Sequence, residues 1–165
     1  LKHEDSMGNS AVVTTGEVQV MSAGIGVEHA EWNASETAEL TLLQIWILSS
    51  ARDVMPRYDQ KRFDEENYRN TLCQVVGPIE TQEGLGIHQD ARIFLGRFDA
   101  GKEFVYTLPD QYHGVYFFVI EGRVTIADKT LDKRDALGVW ETKKVTLKVE
   151  KELFLIAIEV PMDQE

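Results

Sequence analysis

The sequence predicts an all-β protein of the sandwich or barrel type, on three observations. Short runs of β-branched and aromatic residues recur with Gly, Asn and Asp between them, the pattern of strands joined by turns. Some runs alternate apolar with polar residues: Val18 and Val20 with Glu17 and Gln19, and Val145, Leu147 and Val149 with Thr146 and Lys148. That period of two is expected where one sheet face is buried. Residues 42–48 and 154–160 are apolar on nearly both faces, as core strands between two layers would be.

Taken in order, Ser6-Met7-Gly8-Asn9 reads as a hairpin turn, because Gly and Asn tolerate positive φ. A strand follows at 17–21 and a core strand at 42–48. Residues 51–70 are rich in charge, carry Pro56 and lack alternation, so this stretch reads as an interdomain linker, with a short helix at most over 64–69. Strands resume at 71–76, which holds Cys73. Glu121-Gly122 reads as a turn joining strands 115–120 and 123–127, and the last strands are 145–149 and 154–160. The division expected is 1–50, a linker over 51–70, and a second domain over 71–165.

Composition narrows the function classes. With 165 residues and 43% hydrophobic side chains the chain can bury a real core. Seventeen Lys and Arg against 28 Asp and Glu give a formal charge of −11, a field that repels nucleic acid and anionic membrane surfaces. The apolar run at 40–48 is far too short to span a bilayer, and the polar start carries no signal-peptide pattern. A single cysteine excludes an internal disulfide and fits a reducing, cytoplasmic setting, with Cys73 itself read as a buried, inert thiol.

The segment that carries chemistry runs from Gly16 to Glu31 and ends in His29-Ala30-Glu31. In an extended strand, residues i and i+2 point to the same face, so an imidazole and a carboxylate would project together and could bind one divalent metal ion. By pattern alone the pair reads either as a surface pair or as two ligands. Gly16, Gly24 and Gly26 suggest tight turns and close backbone approach around it.

The runs His3-Glu4-Asp5-Ser6-Met7-Gly8-Asn9-Ser10, Gly16-Glu17-Val18-Gln19-Val20-Met21 and Ala23-Gly24-x-Gly26-x-x-His29-x-Glu31 resemble the first cupin domain of the pirin family, and Leu43-Gln44-Ile45-Trp46-Ile47 is similar to its following strand. Pirins are bicupins, two jelly-roll sandwiches in tandem, whose N-terminal domain holds a mononuclear metal, usually iron. The resemblance implies that His29 and Glu31 are the last two of four metal ligands, for Fe or alternatively Ni, Mn, Cu or Zn. The other two would belong to a His-x-His motif expected before Leu1, so 1–50 would be the C-terminal part of a truncated first cupin. His3 is expected to follow the site rather than form it, and His88 to be a loop residue.

Tyr116-Phe117-Phe118-Val119-Ile120-Glu121-Gly122-Arg123-Val124 resembles the second cupin. Its ligand positions would fall near Pro109, Gln111 and Val115, none suited as a set, so this domain is expected to be structural and metal-free. His113 is expected as a hydrogen-bonded turn residue, and Tyr112, Tyr116, Phe117 and Phe118 as packing. Two functions stay open. One is a quercetinase-like dioxygenase acting on a flavonoid-like molecule, with Glu31 as ligand or base. The other is a redox-sensing regulator that binds a protein partner, or a chain inactive because its site is split. Missing strands would leave Val18, Val20, Leu43, Ile45 and Ile47 uncovered, and pairing with another copy would shield them.

Overall fold

The computed structural model of the chain describes residues 1–162; residues 163–165, the end of the expected second domain, lie outside the described residues. Among the described residues thirteen strands form. β1 (Lys2–Asp5) and β2 (Ser10–Val12) make the hairpin expected at Ser6-Met7-Gly8-Asn9, with His3 opposite Ala11. Gly8 takes φ 92° at that turn, a conformation open to glycine without steric penalty. β4 (His29–Trp32) pairs antiparallel with the other edge of β1, setting His3 opposite Glu31 and Asp5 opposite His29.

β3 (Glu17–Ser22) leaves that sheet and pairs with β5 (Arg57–Arg62). The stretch 51–70, read as a linker, therefore contributes a strand and a 3₁₀ turn at Glu65–Tyr68. Arg57-Tyr58-Asp59-Gln60-Lys61-Arg62 has no apolar alternation of its own, and pairing with β3 decides its conformation.

A second difference concerns 42–48. Residues 33–56 have no regular structure, and Leu42, Leu43, Ile45, Trp46 and Leu48 are exposed, Trp46 at 87%. Only Ile47 of this run packs inward. Apolar content does not make a strand unless its N–H and C=O groups find a neighbouring ladder, and no described strand pairs with this run.

The remaining strands are β6 (Leu72–Pro78), β7 (Leu85–Ile87), β8 (Arg92–Phe98), β9 (Glu103–Thr107), β10 (His113–Ile126), β11 (Lys129–Asp132), β12 (Ala136–Val139) and β13 (Lys144–Pro161). They run in the order β11-β10-β13-β8-β6-β7, with β12 also on β10 and β9 also on β13. Glu121-Gly122, read as a turn, lies inside β10. Gly122 sits at φ 99° against the carbonyl of Glu152, where a Cβ would collide, and the β10–β13 register slips between Val119 and Val124. This bulge bends the strand. Before it β10 pairs with β12, and after it with β11. β13 likewise pairs with β9 early and β8 late, which wraps the sheet into a jelly roll.

Two cores result. Phe117, Val119, Ile126, Leu147 and Leu155 fill the barrel interior, each wholly buried. The opposite face of β13, through Phe154, Ile156 and Ile158, packs with Phe63, Tyr68, Val75 and the first-region residues Val18, Val20 and Ile47. Residues 154–160 thus lie between two layers, as expected. The uncovered face is smaller than expected, because only Leu43 and Ile45 of the five named residues stay exposed. Among the aromatics, Phe117 and Phe118 enter the two cores, whereas Tyr112 and Tyr116 are exposed.

Candidate functional site

Antiparallel pairing of β1 with β4 puts His3, Asp5, His29 and Glu31 on one face of the small sheet, since each is a same-face neighbour in sequence or a register partner. β3 and β5 lay Gln19 and Tyr58 against that face. His29 and Glu31 project together, as their spacing requires. His29 is exposed and the Glu31 side chain is 17% exposed.

Three groups hold the Glu31 carboxylate. Gln19 Nε2 donates to Oε1, Gln44 Nε2 donates to Oε2 at 3.3 Å, and His3 Nδ1 lies 3.3 Å from Oε1. His3 is wholly buried. Its ring stacks on Tyr58 with centroids 4.5 Å apart, lies 5.7 Å from the His29 ring, and turns Nε2 to Asp5 Oδ2 at 3.2 Å. The Tyr58 hydroxyl reaches Gln60 Oε1 at 2.6 Å and Gln19 Oε1 at 3.1 Å. Burial, then the negative charge of Glu31 and Asp5, pushes that phenol above its usual range.

Asp5 is fixed by the hairpin turn. Its Oδ1 accepts from the Met7 and Asn9 amides, both at 3.0 Å, and its Oδ2 from Asn9 Nδ2 at 2.8 Å. Burial pushes the carboxyl up, but the bonds from Asn9, His3 and Met7 outweigh it and bring the pKa down to about 2. Asp5 is therefore a carboxylate at neutral pH.

His3, expected to follow the site, is at its centre. The signal was in the sequence: a hairpin at Ser6-Met7-Gly8-Asn9 fixes which residues of β1 face inward, and His3-x-Asp5 then shares a face with His29-x-Glu31 once β4 pairs with β1. Gln19 and Tyr58 had no such signal, because their strand pairing is not local.

An imidazole and a carboxylate are donors a divalent cation accepts. Two are too few for a closed site, and among the described residues no three His, Cys, Asp or Glu side chains converge to hold a metal ion. The described residues do not by themselves fit a metal.

A second polar cluster lies at one end of the barrel. Glu159, 3% exposed, accepts from Arg92 Nη1 at 3.0 Å and from the Tyr106 hydroxyl at 2.6 Å. Arg92 also pairs with Asp90 at 3.1 Å. His113 is hydrogen-bonded, as expected, through Nδ1 to Asp110 at 2.8 Å, but it opens β10 and is buried rather than sitting in a turn. His88 lies in a loop whose carbonyl accepts from Ser49 and Ser50. Burial raises the pKa of the half-buried Cys73 thiol, consistent with an inert group.

The pirin family model matches residues 1–47, and that of the quercetinase C-terminal cupin domain matches residues 74–160. A quercetin 2,3-dioxygenase of Escherichia coli K12 is 31% identical over 161 residues, spanning 98% of this chain and 68% of that protein. The chain belongs to the pirin family. Among solved structures this pirin resembles YhhW from Escherichia coli, with a TM-score of 0.91 at 30% identity over 99% of this chain and 68% of that one. It matches the bacterial pirin YhhW in complex with nickel(II) equally well, with a TM-score of 0.90 at 30% identity, over 98% and 68% of the two chains. The cupin fold expected for a pirin is the fold observed.

Proposed function

We propose that this pirin is a cytoplasmic, metal-dependent cupin in which His29 and Glu31 supply half of a divalent-cation site, the assembled site acting on a flavonol-like molecule as a quercetinase-type dioxygenase. The observation that carries the reading is the Glu31 carboxylate, mostly shielded and held by Gln19, Gln44 and His3 beside His29 on one strand. The naming of the Escherichia coli relative as a quercetin 2,3-dioxygenase supports the substrate class. Nickel bound to YhhW supports a divalent cation, with iron the metal that the family resemblance favours. The remaining donors come from outside these residues. In this reading 1–50 belongs to the metal-type cupin and 71–165 to a metal-free second one.

Within the site Glu31, a ligand at rest, serves as the base when it is displaced from the cation. A flavonol hydroxyl within hydrogen-bonding distance gives its proton to a Glu31 carboxylate oxygen, breaking the substrate O–H bond and forming the carboxyl O–H. Gln19 and Gln44, as amide donors, hold the two oxygens of that carboxylate in place. Oxygen uptake on quercetin by the assembled protein, loaded with metal once the remaining donors are supplied, tests the assignment: turnover that Glu31→Gln lowers at least tenfold supports it. Fully bound metal with no turnover removes it.

The exposed Leu42, Leu43, Ile45, Trp46 and Leu48 favour a second reading, a regulator that binds a protein partner. Partner binding that depends on the oxidation state of bound iron would support that reading, and redox-independent binding would count against it.

A further inference from the structure

We propose that His3 is the positioning residue of Glu31, a buried clamp that carries the rigidity of the β1–β2 turn to the carboxylate; its functional meaning rests on Glu31 being the working group of the site. A glutamate on a strand has three side-chain torsions to fix, and a carboxylate accepts hydrogen bonds but does not donate them. Whatever sets its direction must be a donor that is itself immobile.

His3 meets that requirement from each side. It is wholly buried, and its two ring nitrogens face two carboxylates, Glu31 at 3.3 Å and Asp5 at 3.2 Å. Asp5 cannot drift, because two backbone amides and the Asn9 side chain hold it. Tyr58 lies nearly parallel to the imidazole, 22° from its plane, and restricts ring tilt. The same Tyr58 reaches Gln19, the other donor on Glu31 Oε1. The path from turn amides to Asp5, His3 and Glu31 is thus continuous and closed to solvent at its middle.

A purely structural role would be served as well by an apolar side chain. A buried imidazole between two carboxylates carries a desolvation cost that such a side chain avoids. Ligating and reacting groups are regularly oriented by hydrogen-bonded partners of this kind, whose loss lowers metal affinity about 10- to 100-fold.

The test uses the 165-residue chain. In the wild type, nuclear magnetic resonance should show a slowly exchanging His3 ring N–H with cross-relaxation to the Glu31 γ-protons; a rapidly exchanging ring without that contact overturns the proposal. His3→Phe keeps a ring on Tyr58 and removes both ring nitrogens, and with them the N–H that faces Glu31. We expect the β1–β4 amides to stay protected while the Glu31 methylenes become mobile and Ni(II) affinity falls about tenfold. His3→Gln, which keeps one donor, should recover most of the order. Equal Glu31 order in wild type and His3→Phe overturns the clamp. If His3→Phe loses the β1–β4 pairing, the wild-type contact and His3→Gln decide. A wild type that takes up no Ni(II) at all counts against the half-site reading and leaves the resonance result on His3 standing.

Discussion

Burial alone would keep His113 neutral, yet its pKa is raised, because the bond and charge of Asp110, with the charges of Asp90 and Glu159 behind, outweigh the loss of solvent. Arg92 faces the same cluster and is neutralised by Glu159 and Asp90. A histidine whose folded pKa lies above its ordinary value of 6.5 contributes stability that is complete below that value and is lost as pH rises through the folded pKa. His113→Gln should therefore cost roughly 1–2 kcal/mol near pH 5.5 and clearly less near pH 8.5, measured by urea denaturation at the two pH values. Equal costs would mean that the protonated ring has no special partners. At this scale the sequence showed that His29 and Glu31 share a strand face, and not what surrounds them. His29 and Glu31 were legible from their spacing and from the family resemblance. Gln19, Tyr58, Arg92 and Glu159 became visible only once strands distant in sequence were paired.

At the scale of elements, what the sequence shows depends on whether a strand is announced by its own residues or by its neighbour. The β1–β2 hairpin was legible because its turn demands a residue such as Gly8. β5 was not, because six mostly charged residues become a strand only against β3. Residues 42–48 erred the other way, apolar enough for a strand but without a ladder. Glu121-Gly122 has turn chemistry and serves a bulge, a distinction set by the 18-residue β13 running past it. The bulge has a direct test. Gly122→Ala adds a Cβ at positive φ against the Glu152 carbonyl and should cost about 3 kcal/mol in urea denaturation. A cost below about 0.5 kcal/mol, the range of inert surface changes, would mean that β10 does not bend there.

Across the whole molecule the barrel has a core of its own, its interior filled by Phe117, Leu147 and Leu155. The first region is tied to it through Val18, Val20 and Ile47 and keeps an open apolar run beside the candidate site. All three tryptophans are exposed, at 39% for Trp32, 87% for Trp46 and 55% for Trp140. The folded chain should accordingly emit close to the wavelength of the unfolded chain and be quenched by iodide. A strongly blue-shifted, iodide-protected emission would show that Trp46 and its neighbours are covered in solution. The fold class and family were legible at this scale because turn spacing and local motifs survive without tertiary knowledge. The state of the site was not, since it depends on how many donors converge in space.

On the proposed reading His29 and Glu31 supply half of a divalent-metal site, oriented but not completed by the described residues. Titration of the purified chain with Ni(II), followed by calorimetry and metal analysis after desalting, tests it most directly. Uptake should be weak, well below one equivalent after desalting, and His29→Ala should abolish it. Tight equimolar binding, or binding indifferent to His29→Ala, would contradict it.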